Sequence, residues 1–301
     1  MKRLLIILLL AAGPGRAAQG LELTDEGQLA FARELLGRGE FFKAVLEYER
    51  LLHFFPTSPL ADEAAFGVGL AYDGAGEYAA AGAAYRQFLA DHPASGLVPR
   101  VRLALGRSLA LGRDYANARQ ELESLAGESP PLETSGRARI LSGLTFLPTW
   151  ELASAETEFL RAAGDFSGEP EGELGAELAR VAARRTELPR VSPGFASLAS
   201  AVVPGLGQVI AGNLWDGVLA LTANALWVGA AWWAAEEGEF AAAALAGLLG
   251  AGFYLGNVYN AGQAAEEFNR RAAAALAAEI ALAVRRWEAE HEDEPSLIPS
   301  Y

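Results

Sequence analysis

Along the first half of the chain, small and apolar positions recur at helical spacing, and the whole pattern returns every 37 residues. Alanines stand at Ala44, Ala81, Ala118 and Ala155, and four residues after each come Tyr48, Tyr85, Leu122 and Phe159. Residues four apart share one face of a helix, so each pair marks a helix with a single buried stripe. In the stretch before it, Ala32, Gly69, Gly106 and Gly143 are each followed three residues later by Leu35, Tyr72, Leu109 and Phe146. Between the two stretches, Gly39-Glu40-Phe41 returns as Gly76-Glu77-Tyr78, and Gly112 ahead of Tyr115 is the third instance. Pro56, Pro93 and Pro130 close the units, because proline ends a helix. The elements predicted are two short helices per unit, joined at the glycine. Small residues on both helices permit close packing. One unit cannot bury its own apolar face, so neighbours must stack into a superhelix.

This pattern resembles the tetratricopeptide repeat over roughly residues 24–165, with a degraded fourth unit. Linkers such as Phe55 to Ala64 are similar to those of envelope repeat proteins, namely the Tol-Pal-associated repeat protein and the repeat lipoprotein of the outer-membrane barrel assembly machine. The lipoprotein's cysteine is missing, because the chain has no Cys. The resemblance implies a groove lined by the first helix of each unit, holding a protein or peptide. Carried onto this register, the groove positions are Arg33, Phe66, Leu70, Asp73, Arg100, Leu103, Arg107 and Arg137. Arginine pairs well with carboxylate, so the arginines suit an acidic or C-terminal group on the ligand. The other reading is that they are solvated charges paired with neighbours such as Glu63. The Lys/Asn set of carboxylate-clamp repeats is absent.

The patterning changes after Arg190: no Lys or Arg occurs from Val191 to Asn269. Gly217–Ala235 and Phe240–Tyr259 are uncharged runs of nineteen and twenty residues, and about 20 suffice to cross the hydrocarbon core. Only Glu236-Glu237-Gly238-Glu239 separates them, which predicts a tight hairpin. Trp215, Trp232, Trp233, Tyr254 and Tyr259 stand where interfacial aromatics belong. Gly252 and Gly256 form a GxxxG pair, with Ala225 and Gly229 opposite as small residues for close contact in lipid. The alternative is a buried, alanine-rich hairpin of a soluble protein. Ahead of the hairpin, Pro204-Gly205-Leu206-Gly207-Gln208 begins a motif similar to small bacterial two-span membrane domains, and Gly256-Asn257-Val258-Tyr259 is similar to their end. Ile210 departs from the aromatic usual there. Gln208, Asn224 and Asn257 are candidates to bond across helices, worth about 1 kcal/mol in lipid. Neither span holds a charge that would mark an ion or proton path.

Met1-Lys2-Arg3, the apolar run Leu4 to Ala12, and Gly15-Arg16-Ala17 have the layout of a secretory signal peptide. A buried N-terminal helix is the competing reading. Export sets up a conflict: two crossings would leave Glu236 to Glu239 inside and Arg270-Arg271 outside, against the positive-inside tendency. A third crossing by Val191 to Gly212 would remove the conflict, as would an N-terminus that is no export signal.

The net charge of −14 disfavours nucleic acid as a partner. The three histidines, His53, His92 and His291, lack metal-ligand spacing, and Gly67-x-Gly69 follows no strand, so neither a metal nor a dinucleotide is implied. The sequence points to no cofactor and no catalytic residue. The expectation is an all-α protein: a signal peptide at 1–17, tetratricopeptide-type repeats at 18–165, and a linker helix at 166–193. A membrane domain of two or three segments follows at 194–260, then an amphipathic helix at 261–290 and a disordered tail at 291–301. The function expected is non-enzymatic: a scaffold of the bacterial cell envelope, anchored in lipid, with periplasmic repeats. The alternative is a transport or membrane-protein assembly component whose repeats only recruit. A third, an enzyme with its site in the repeat groove, has no motif behind it.

Overall fold

The computed structural model describes residues 24–127 and 132–291. The signal-peptide pattern, Pro130 and nearly all of the acidic tail lie outside these. Among the described residues there are thirteen α-helices and no strands. The chain divides into two compact units, residues 1–108 and 109–301.

The first unit holds α1 (Asp25–Gly37), α2 (Phe41–Phe54), α3 (Ala61–Gly74), α4 (Tyr78–Asp91) and most of α5 (Val98–Leu111). Thr24 caps α1 by accepting from the Gly27 N–H. Successive helices α1 to α4 pack against one another. The repeating positions form the core: Ala32, Ala44 and Ala81 are fully buried, and Tyr48 and Tyr85 are all but sealed. The small residues are small because a ring lies over them. A Cβ on Gly69 would sit 2.2 Å from the Tyr85 ring, and one on Gly67 would sit 2.5 Å from the Tyr48 ring.

In the second unit, α6 (Tyr115–Gly127), α7 (Leu132–Leu144) and α8 (Leu152–Asp165) continue the pattern. Ala118, Leu122, Ala155 and Phe159 are fully buried, and a Cβ on Gly143 would meet the Phe159 ring at 2.5 Å. The turn between paired helices needs a left-handed residue, supplied by Gly39 and Gly76 at φ of 74° and 76°. The equivalent residues 37 further on are Arg113 and Trp150, at φ of 65° and 61°. The left-handed residue of the third unit is therefore Arg113 and not its neighbour Gly112.

The stretch expected as a linker forms α9 (Pro170–Ala183), packed on α8 and α7 as the first helix of a further unit would be. A short 3-10 turn, Arg184–Thr186, ends it. The apolar segment expected to offer a third crossing is broken into α10 (Pro193–Val202) and α11 (Leu206–Ile210). At 1.5 Å per residue, the ten residues of α10 reach about 15 Å, half the hydrocarbon thickness. The hairpin is α12 (Leu214–Glu236) and α13 (Phe240–Glu290). No boundary separates span from amphipathic helix; α13 is one helix of 51 residues. Its far end, through Leu276, Ile280, Val284 and Trp287, is buried where α13 meets α9. Arg184 pairs with Glu279 at 2.5 Å and Arg286 with Glu177 at 3.4 Å beside this contact.

Candidate functional site

The groove positions divide sharply by burial. Phe66 is only 7% exposed and packs between Tyr85 and Phe88, with ring centroids 6.0 and 6.5 Å away. It is a core residue and presents no surface to a ligand. Leu70 and Leu103 are half-buried, while Arg33 and Arg100 are exposed.

The charges are used mostly inside the protein. Arg33 on α1 pairs with Glu63 on α3. Asp73 on α3 accepts from Arg107 on α5 at 3.0 Å and from the Tyr85 hydroxyl on α4 at 3.0 Å. The two arginine links join the first helix of one repeat to the first helix of the next. Burial pushes the Tyr85 hydroxyl well above its usual pKa, and the Asp73 carboxylate adds to this, with Arg107 opposing. Tyr85 therefore stays a hydrogen-bond donor over the ordinary pH range. Arg137 is buried in the second unit, 3.5 Å from both Glu133 and Glu171, and 5.2 Å from the Trp287 ring. Burial raises the Glu171 carboxyl above its ordinary value, and Arg137 only partly offsets it. Arg33, Arg107 and Arg137 thus face carboxylates of their own chain. Among the described residues, Arg100 is the groove arginine left with no ion pair.

The Pro204-Gly205-Leu206-Gly207-Gln208 segment is a compact knot. Gly205 takes φ of +93°, and a Cβ there would lie 2.0 Å from the Gly217 carbonyl oxygen. A Cβ on Gly207 would lie 2.0 Å from the Ala196 carbonyl oxygen. Only hydrogen fits at either place, and Pro204 starts the turn that brings α11 there. A polar relay runs through the knot. The Gly207 N–H donates to Ser200 Oγ at 2.9 Å, and Ser200 donates to Gln208 Oε1 at 2.8 Å. Gln208 Nε2 then donates to Asn257 Oδ1 at 2.7 Å and to its carbonyl oxygen at 3.1 Å. The Gln208–Asn257 pair links α11 to α13. Asn224 instead donates to Ala220 O of its own helix at 2.7 Å.

The GxxxG pair does not make the hairpin contact. Cβ atoms on Gly252, Gly256 or Gly229 would meet nothing within 4 Å. The close approach falls at Gly250, where a Cβ would sit 2.9 Å from Trp227 Cβ. Two contributors escaped sequence reading, and a third, Tyr254, was read only as an interfacial aromatic. Ser200 sits in the relay; Tyr254 donates to Ala201 O at 2.5 Å; Asn269 brackets Val191 by bonds of 3.0 and 2.9 Å to its N–H and carbonyl. Only the excess of Asn and Gln in an apolar region hinted at them. Tyr259 is exposed, with Trp215, Trp232 and Trp233.

A family model described as the tetratricopeptide repeat matches residues 63–95. These residues comprise most of α3, all of α4 and the linker after it. No curated protein matches the chain. The fold is therefore an all-α, tetratricopeptide-type array followed by two long apolar helices. Repeats of this type are in general protein-interaction scaffolds, and apolar helices of this length suggest membrane association.

Proposed function

We propose that the protein is a non-catalytic, membrane-tethered scaffold whose repeats capture a protein or peptide and whose hairpin holds them at a bilayer. The observation that carries the tether is exposure. The most apolar windows of α12 and α13 are only 11% and 6% buried. A hairpin of a soluble core would bury such surface, since large exposed apolar area is unstable in water. Trp215 and Trp232 lie seventeen residues apart on α12, about 26 Å along its axis, which suits aromatic belts at two interfaces.

On the repeats, Arg100 with its half-buried neighbour Leu103 is the groove position left for a ligand, and an acidic or C-terminal carboxylate is the group that suits it. The packing of α9 on the far end of α13 supports an even number of crossings, since both must lie on one side of the bilayer. The setting proposed is the bacterial cell envelope with periplasmic repeats. In that orientation the leader-like pattern overrides the Arg270-Arg271 pair, as a first hydrophobic segment usually dominates topology. The rival reading, a transport component, wants a polar path through the spans, and Asn224 already uses its amide on its own helix.

The test is site-specific photo-crosslinking in membranes. A crosslinker at position 100 or 103 should trap a discrete partner, and one at Lys43 on the exposed part of α2 should not. Identical patterns from all three sites would sink the groove reading. Release of the full chain by alkaline carbonate would sink the tether.

A further inference from the structure

Between the start of α12 and the middle of α13 lies an open cleft of about 760 Å³, within the roughly 300–1,000 Å³ usual for small-ligand sites. Its walls change character along its length. Asn213, Asp216, Asn260 and Gln263 line one end, while Leu219 and Phe253 line the end toward the hairpin tip. Gly252 and Gly256, which make no helix contact, keep the floor open.

Two groups on this cleft are open to a ligand, one a buried donor and one an exposed charge. The relay described above has a fixed direction, because the Asn257 carbonyl oxygen can only accept and so must face the amide nitrogen of Gln208. Gly207 donates to Ser200, Ser200 to Gln208, and Gln208 to Asn257 Oδ1. The Asn257 amide is thereby oriented, and its Nδ2 is left buried with no acceptor, on a residue only 5% exposed that lines the cleft. A buried donor without a partner is costly, so it asks for an oxygen. The second group is Asp216, an exposed carboxylate that forms no ion pair among the described residues, whereas Glu267 and Arg270 neutralise each other at 2.7 Å. Depth supplies the rest. Asn257 lies seventeen residues beyond Phe240, about 26 Å from the hairpin tip, near the far edge of a hydrocarbon core of about 30 Å.

We propose that this cleft seats the head of a zwitterionic phospholipid carrying a primary ammonium group. The phosphate or ester oxygen accepts from Asn257 Nδ2, the ammonium faces Asp216, and an acyl chain follows Leu219 and Phe253 toward the tip. A quaternary ammonium is disfavoured, because Phe253 is the one aromatic on the cleft and a cage needs several. This rests on the membrane reading above.

The experiment reconstitutes the full chain into vesicles of phosphatidylethanolamine, phosphatidylcholine and phosphatidylglycerol in equal parts. Flotation first establishes integration; the protein is then extracted in mild detergent and its retained lipid quantified by mass spectrometry. The wild type should retain phosphatidylethanolamine in clear excess over the other two. Asn257→Asp keeps the acceptor for Gln208 but removes the donor. It should lower that retention about tenfold, the loss expected of one hydrogen bond to a charged oxygen. Asp216→Asn, at an exposed position, should abolish the preference for phosphatidylethanolamine over phosphatidylcholine while leaving phospholipid bound. Protein that floats with the vesicles but retains lipid in the mixing ratio, or variants that match the wild type, would overturn the lipid site alone. Protein that fails to float would overturn the membrane reading with it. Displacement by equimolar glycerophosphoethanolamine would overturn the lipid as the source of the head group.

Discussion

Gly69 occupies a position where a single methyl group has nowhere to go. Its missing Cβ would stand 2.2 Å from the ring of Tyr85, which is itself fully buried and tied to Asp73. Gly69→Ala should therefore lower stability by about 1–3 kcal/mol, the range for overpacking a filled core. Gly37→Ala, with nothing within 4 Å of the added carbon and an ordinary helical φ, should be neutral or raise stability by up to about 1 kcal/mol. Urea midpoints of the two variants check the contrast, and similar shifts would remove the packing account of the small residues. Arg137 makes a second case. Arg137→Ala leaves the Glu171 carboxylate buried with no counter-charge, which should cost about 3 kcal/mol at neutral pH. Burial already raises the folded-state pKa of Glu171, and losing Arg137 raises it further. A carboxyl raised in this way contributes stability below its unfolded pKa and loses it as the pH climbs through the folded value. The deficit of the variant relative to wild type should shrink from pH 7 toward pH 4. A deficit independent of pH would point to lost packing on Trp287 instead. The positions of these residues were legible in the sequence as repeat positions. A pairing with Glu63 was among the readings the sequence offered, but the pairs of Arg107 and Arg137 with Asp73 and Glu171 were not, because those partners lie 34 residues away on other helices.

The turn between paired helices is a four-fold feature that the chain fills unevenly. Gly39 and Gly76 adopt the left-handed conformation freely, whereas Arg113 and Trp150 adopt it against the clash of their own Cβ. Arg113→Gly should relieve this and raise stability by about 1 kcal/mol, even though glycine widens the unfolded ensemble. Thermal denaturation would read the change, and a loss would mean that the Arg113 side chain contributes more than the strain removes. The sequence misled here because Gly112 is adjacent, and glycine is the expected occupant of such a turn. The same reasoning from composition placed a boundary near Ala261. The structure has none, since nothing in Asn260-Ala261-Gly262-Gln263 breaks an alanine-rich helix, and α13 runs on to Glu290. Hydropathy changes along a helix without the backbone registering it.

Within the second unit, one contact constrains topology. The buried side of α13 near Trp287 packs where α7 and α9 lie, so on the proposed membrane reading α9 and the end of α13 would share a side of the bilayer and the hairpin would cross it twice. The chain has no cysteine, which makes the test direct. Single cysteines at Ser167 and Glu290, both exposed, should react with an impermeant maleimide from the same side of sealed vesicles. A cysteine at Glu237 in the hairpin turn should react from the opposite side. Labelling of 167 and 290 from opposite sides would restore the third crossing that Val191 to Gly212 was expected to offer.

The sequence by itself determined the helices, the repeat and its period, and the two apolar runs. Each of these rests on spacing along one chain: 3.6 residues per turn, 37 residues per unit, about 20 residues per crossing. What only the tertiary structure decided is which groups meet. It placed Phe66 in the core, matched Arg33, Arg107 and Arg137 to carboxylates of the same protein, and moved the hairpin contact from Gly252 and Gly256 to Gly250. It also left one buried amide donor of Asn257 without a partner among the described residues. Burial and pairing depend on residues brought together from distant helices, and no periodicity within a single helix encodes them.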